Sequence, residues 1–312
     1  MSEVITCIFC TKESEATDEH VIPEFAGGSL IIRDVCKACN SRMGSDFEGP
    51  ISKSIIFRLP RYVYGIQGKS SSPIHPFPNM GAAEDGSKIK MDSEFRPYMV
   101  TKIEERRLEA GGIDVRLKVD DSDAEKIPEI IESRIRRTAK REWPHLTSGE
   151  VDGLVRDAIN SLPKKYEVQT AQPTIGYHES VDLNHIVLLM MKIAYEIAFH
   201  HNGVGILSDA SSIQLRDAVN KRDAKAKVHG ALFPQPDPFS FVTGAESRHC
   251  VVLCGNVCYL RIFNISAIIQ VSEACSEFSL SEDEWVIYWF DFMDQQWDKE
   301  NFLSYMCRDV IV

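Results

Sequence analysis

The chain has 312 residues, 44% hydrophobic and 26% charged, a balance that excludes a chain disordered throughout and exceeds what one minimal domain needs. Its 35 Lys and Arg against 46 Asp and Glu leave a formal charge of −11, the wrong sign for a nucleic-acid partner if it were evenly spread. It is not: residues 1–60 carry 6 basic and 9 acidic side chains, residues 271–312 carry 2 and 10, and the stretch between balances at 27 of each.

The N-terminus, Met1 to Cys7, lacks the basic start and long apolar run of a secretory signal, and the most apolar segment, Ile186 to Phe199, is interrupted by Lys192 and Glu196. A soluble, cytoplasmic protein with no membrane contact is therefore expected. In a reducing compartment the nine cysteines serve as metal ligands, nucleophiles or buried small hydrophobes rather than as disulfides.

Cys7-Ile8-Phe9-Cys10 and Cys36-Lys37-Ala38-Cys39 are two C-x-x-C turns separated by 25 residues. Such turns point backbone amides at their thiolates, and two of them supply the four sulfurs of a closed, tetrahedral Zn²⁺ site. Four unrelated buried cysteines, or a redox pair, fit the doubled spacing less well. A module this small has little core, so metal binding, on the order of 10–16 kcal/mol in such sites, would supply most of its folding energy. Between the pairs lie Asp18-Glu19-His20-Val21-Ile22-Pro23 and Phe25-Ala26-Gly27-Gly28, and Asn40-Ser41-Arg42-Met43-Gly44 follows the last cysteine. A zinc knuckle alone needs neither an acidic–His pair on a short apolar strand nor an Asn joined to its final ligand.

This succession, C-x-x-C, E-H-V-I-P, G-G and C-x-x-C-N-x-x-x-G, resembles the HNH endonucleases with a ββα-metal fold, in the subgroup braced by a four-cysteine zinc site. The resemblance covers about residues 5–50. It implies that His20 is the general base, that Glu19 and Asn40 hold a catalytic divalent cation, Mg²⁺ or Mn²⁺, and that DNA is cut to a 5′-phosphate and a 3′-hydroxyl. The residue types suit that chemistry: an imidazole accepts a proton from water near neutral pH, and a hard cation that keeps several waters needs only one or two protein oxygens. Adjacent residues of a regular strand face opposite ways, so Glu19 and His20 are expected at a strand-to-loop transition where alternation lapses. One position departs from the family: Ile31 stands where its middle Asn holds the His loop, and Ser29 and Asp34 are the candidate replacements. Asp46 and Glu48, beyond Gly44, read as a solvated helix face.

Gly65 to Lys88 is turn-rich and reads as a linker. The expected organisation is thus a nuclease module over residues 1–60, a linker over 61–93 and an accessory domain over 94–312. In chain order the accessory domain is predicted to contain a hairpin of Tyr98–Arg107 and Ile113–Val119, with Ile113, Val115, Leu117 and Val119 on one face. Helices are predicted at 123–142 and 148–161, the second opened by the capping box Thr147-x-x-Glu150. A buried central helix over Leu183–His201 ends at Asn202-Gly203, and another runs from Ser211 to Asn220. Strands follow at 249–254, 257–263, 266–271 and 285–292, then a helix near 298–307. Cys250, Cys254 and Cys258 read as buried free thiols, and His200 and His201 as partly protonated caps at a helix C-terminus.

Two basic clusters offer phosphate contacts: Arg134, Arg136, Arg137, Lys140 and Arg141, and Arg216, Lys221, Arg222, Lys225 and Lys227. A solvated helix face is the plainer reading of either alone. Taken together, the sequence points to an α+β protein with an antiparallel sheet whose N-terminal Zn²⁺-braced HNH module hydrolyses DNA, with a role in defence or mobile-element conflict suggested by analogy. Two other readings fit the same residues: a zinc-stabilised module that binds nucleic acid or protein with little catalysis, and a nuclease gated by its C-terminal part. Assembly with a second copy or a regulatory protein would use the second domain or the acidic C-terminal segment, which is expected to face solvent or a partner.

Overall fold

A computed structural model describes residues 3–68, 75–77, 81–83, 86–108, 112–162, 179–225, 230–233 and 247–309. It has mixed helices and antiparallel sheets, and it divides into two compact units, residues 1–76 with 179–312 and residues 77–178. The units divide at 76 and 178, where the sequence suggested boundaries at 60 and 93.

The chain begins with a small sheet of β1 (Val4–Thr6), β2 (Glu13–His20) and β3 (Ile31–Cys36), with β2 in the centre. Pairing of β1 with β2 ends at Val4↔Glu15, whereas β3 follows β2 through His20↔Ile31. Two residues of β3, Arg33 and Asp34, oppose Asp18 alone, a bulge closed by the exposed Arg33–Asp18 ion pair at 2.8 Å. Helix α1 (Lys37–Met43) starts on the last cysteine pair and runs through a π turn, Gly44–Glu48, into α2 (Gly49–Ser52); α3 (Ile55–Val63) follows. The wider turn packs Phe47 in the core and directs its two acids inward.

The second unit holds short strands β4 (Gly81–Ala82), β5 (Lys88–Met91) and β6 (Pro97–Met99) in one sheet, and a hairpin of β7 (Lys102–Leu108) and β8 (Gly112–Lys118). The hairpin is where the sequence placed it; the side chains of Ile113 and Val115 lie outside the described set. Helices α4 (Ile127–Glu142) and α5 (Ser148–Asn160) complete the unit, and α5 opens on the predicted Thr147–Glu150 capping box.

The chain then forms α6 (Leu183–Asn202), buried along most of its length, and α7 (Ala210–Lys221). An antiparallel sheet follows, built from β9 (Gly230–Phe233), β10 (Arg248–Cys254), β11 (Val257–Ile262), β12 (Ile265–Gln270), β13 (Val286–Asp291) and β14 (Gln296–Asn301) in the order β14-β13-β10-β11-β12-β9. The helix expected near 298–307 is displaced: Gln296–Asn301 pairs with β13, and α8 (Phe302–Asp309) begins only there. The first four residues of this edge strand are all exposed, and the charges of Asp298, Lys299 and Glu300 blunt a sheet edge against further pairing.

Cys7, Ile8, Phe9, Val21, Ile22 and Met43 of the N-terminal module share one apolar core with α6 and with β10 to β13. The module therefore has no separate interior. Among the described residues no helix is long and apolar enough to cross a membrane.

Candidate functional site

The two C-x-x-C turns come together as the spacing requires. All four Sγ atoms lie within 4.8 Å of one another, and Cys10 Sγ is 3.8 Å from Cys36 Sγ. Tetrahedral bonding at the usual Zn–S length of about 2.3 Å separates sulfurs by roughly 3.8 Å, so a cluster this tight fits structural Zn²⁺ after a contraction of about 1 Å at most. Burial opposes ionisation at Cys36, yet the Cys39 backbone N–H and neighbouring thiols outweigh it and draw Cys36 down to about 7. Cys7 and Cys39 are raised, chiefly by burial.

Asn40 follows Cys39 directly, so the cysteine cluster fixes its place. Its Nδ2 donates to the Asp18 carbonyl at 2.9 Å and approaches Thr17 Oγ1 at 3.4 Å. That brings Asn40 to β2 one residue before Glu19 and two before His20. His20 is half-buried, and among the described residues its ring has no hydrogen-bond partner. His20 is the last residue of β2, where the strand passes into a loop, and the pairing with β3 shifts register at the bulge between Thr17 and Glu19. Asp18 is exposed, Glu19 buried and His20 half-buried.

Glu19 is 4% exposed and its Oε1 contacts the ammonium of Lys192 on α6. The same ammonium lies 3.1 Å from Glu48 Oε1 and 3.3 Å from Glu196 Oε2, and donates to the His20 carbonyl at 2.7 Å, with Val21 O at 3.4 Å. Burial alone would strip the proton from Lys192; the attraction of Glu19, Glu196 and Glu48 outweighs it and the lysine stays charged. Burial raises the carboxyl of Glu196 far above the usual range, and Glu19 is raised for the same reason, against the pull of Lys192. With Glu196 protonated, the one ammonium still faces two carboxyls, Glu19 and Glu48.

This geometry corrects several expectations. Glu48 and Asp46 do not form a solvated face: Glu48 is on Lys192, and Asp46 meets Arg222 Nε at 2.6 Å. Neither proposed substitute for the middle Asn braces the loop. Ser29 Oγ is buried without a partner, and Asp34 lies on β3 with its carboxyl raised by burial. Sequence reading missed Lys192, although a Lys and a Glu four apart inside an otherwise apolar helix was the visible signal.

Further side chains from the C-terminal segment seize main-chain carbonyls of the module. Tyr195 Oη donates to Ile8 O and Asn220 Nδ2 to Phe9 O, each at 2.8 Å, fixing the first cysteine turn. His249 Nδ1 accepts from the Phe263 N–H at 3.2 Å, so its Nε2–H donates to Ala26 O at 2.8 Å. Gly27, with φ +85°, sits against Phe292, and a Cβ on Gly28 would fall 1.8 Å from Ile22 O. The glycine pair thus permits the close return of the chain after His20.

The basic clusters are partly spent on internal pairs. On α4, Arg136 contacts Glu132 and Asp152, both at 2.8 Å, and Arg141 contacts Glu142, while Arg137 and Lys140 are exposed and Arg134 is half-buried. In the other group Arg216 is beside Asp217 and mostly buried, Lys221 pairs with Asp217, and Arg222 is on Asp46; Lys227 lies outside the described residues. Cys250 and Cys258 are buried free thiols and Cys254 is half-buried, as read from the sequence. His201 is not a charged cap: burial lowers it to about 4, and its Nδ1 lies 3.1 Å from Tyr288 Oη, whereas His200 is exposed at the helix end.

Residues 7–56 match the model of a protein family described as HNH endonuclease. The four clustered cysteines lie within the matched stretch and fit a zinc-braced HNH module. No curated protein and no solved structure matches the chain.

Proposed function

With an HNH module at residues 7–56 as the premise, we propose that the protein is a metal-dependent endonuclease that hydrolyses DNA phosphodiester bonds. The observation that carries this reading is the tie between the cysteine cluster and the His20 strand: Asn40, joined to Cys39, bonds the Asp18 carbonyl. His20 takes a proton from the attacking water, a task suited to imidazole at neutral pH and worth about 10²–10⁴ in rate. Glu19 and the Asn40 side-chain oxygen are hard donors of the kind Mg²⁺ or Mn²⁺ prefers; the cation supplies neutralisation of charge on the phosphate and the departing oxygen. Cys7, Cys10, Cys36 and Cys39 hold Zn²⁺ and keep Asn40 in place. Exposed cations such as Arg137 supply salt-sensitive phosphate contacts, with Arg134, Arg141, Arg216 and Lys221 as the other assigned positions.

The test incubates the zinc-loaded chain with plasmid, linear duplex, single-stranded DNA and RNA, with Mg²⁺, Mn²⁺ or chelator, beside His20→Ala. Cation-dependent DNA cleavage that falls at least a hundredfold in His20→Ala is expected; cleavage indifferent to His20 refutes the mechanism. One observation favours a second reading, a gated nuclease: Glu19 is buried under the Lys192 ammonium, which a cation reaching Glu19 must share or displace. Purified protein silent in this assay, and roused by a ligand or partner of the C-terminal part, would favour that reading.

A further inference from the structure

Strand β2 has an open edge in the stretch that matters. Its pairing with β1 ends at Glu15, with only the Ala16 N–H reaching back to Glu3 O, so beyond that point one row of backbone groups has no neighbouring strand. Carbonyls two residues apart on a strand point the same way, and those of Asp18 and His20 belong to one row. Two side chains take them in turn: Asn40 Nδ2 the Asp18 oxygen at 2.9 Å, and Lys192 Nζ the His20 oxygen at 2.7 Å. The Asn40 bond lies at the surface, whereas Lys192 is fully buried and reaches the His20 oxygen from the interior. On the opposite edge Ile31, half-exposed, faces His20 in the ladder with an apolar side chain that cannot hold the loop.

We propose that Lys192 is a positioning residue for the nuclease reaction: from α6 it fixes the main chain of His20 through the His20 carbonyl, and the carboxylate of Glu19 through the ion pair, doing what the Asn absent at position 31 would do from the strand. The inference rests on the nuclease reading. Lys192 acts through His20 and Glu19 and touches no reacting atom. It suits the role because the ammonium is fully buried and its three N–H groups turn to the Glu19 carboxylate and the His20 and Val21 carbonyls, with Glu48 and Glu196 beside it as charges.

The test uses the full, zinc-loaded chain as wild type, Lys192→Met/Glu196→Gln and Lys192→Arg. The double variant removes the ammonium together with one surplus carboxyl; Lys192→Arg keeps the charge and displaces the donor, and so folds where the neutral variant does not. Misplacing a base by about 1 Å costs on the order of a hundredfold, so kcat on plasmid should fall about a hundredfold while KM for DNA stays within about twofold. The ring signals of His20 in imidazole ¹H–¹⁵N spectra should shift in both variants while those of His249 stay put. A folded variant with kcat within about threefold of wild type and an unmoved His20 signal overturns the proposal. Wild-type cleavage indifferent to His20→Ala would defeat the nuclease reading instead, and the His20 spectra would still decide whether Lys192 positions the ring.

Discussion

His249 gives the module a calculable weakness in acid. Its ring is fully buried, accepts from the Phe263 N–H and donates to the Ala26 carbonyl, and packs on Phe263 and Phe292. Burial, assisted by Arg261 and opposed by the Ala26 carbonyl and Asp291, lowers its pKa from 6.5 to about 4. The folded state therefore holds the neutral ring while the unfolded chain takes up a proton below pH 6.5. The unfolded state binds more protons between those values, so stability falls as pH drops through the window and levels off below about pH 4. A shift of this size costs roughly 2 kcal/mol by pH 5 and about 3 kcal/mol by pH 4. His249→Gln isolates the effect, since an amide can accept from Phe263 and donate to Ala26 without titrating. The variant should lose about 1 kcal/mol at pH 7.5 and then close the gap on acidification, overtaking wild type at about pH 6 and leading by about 1 kcal/mol at pH 5. Urea unfolding of both zinc-loaded proteins from pH 7.5 to 5 reads this out, and zinc release, common to both, cancels in the difference. A difference constant to within about 0.5 kcal/mol across that range refutes the assignment.

The metal and backbone features make equally direct claims. Each chain should carry one Zn²⁺ by elemental analysis, and Cys39→Ser should weaken binding of the second, catalytic cation at least tenfold in the fraction that stays folded, measured as Mg²⁺ half-saturation of cleavage; an unaltered value severs the coupling between cluster and Asn40. Gly28→Ala drives a methyl into the Ile22 carbonyl and should cost more than about 4 kcal/mol or abolish soluble expression; a variant melting within a few degrees of wild type would show the loop free to move. Reversing Arg137 and Arg141 to Glu should weaken DNA binding and flatten its dependence on salt, and an unchanged salt slope removes α4 from the substrate path.

What could be read from the sequence and what could not divides along a physical line. The Thr147–Glu150 cap, α6 and each of the β10–β13 strands are encoded within windows of a few to some twenty residues, and the cysteine cluster by two four-residue turns within 33 residues, through ligand spacing, hydrogen-bonding pairs and hydrophobic period. The His201 cap failed because burial, a tertiary property, outweighed the helix dipole, and β14 failed because pairing with β13 overrode local propensity. Residues 1–60 looked separable for a related reason: metal spacing announces a module without revealing which surface covers it.

Lys192 and Glu196 show how such a surface can announce itself. A lysine and a glutamate four residues apart on a helix face are unremarked in water, but α6 is apolar almost all round, and a charge pair there bears a desolvation cost that its mutual attraction does not repay unless further polar groups meet it. The pair persists because the surface opposite α6 is polar in a specific way, with the carboxylates of Glu19 and Glu48 and the open carbonyls of His20 and Val21. A buried cation inside an apolar helix thus implies an acidic, edge-exposed target elsewhere in the same chain. Here the sequence offered one short strand, Asp18-Glu19-His20, with an acid beside a histidine and the middle Asn missing. Matching the two would have paired α6 with that strand before any coordinates, and it explains why the HNH module is built into the larger unit rather than tethered to it.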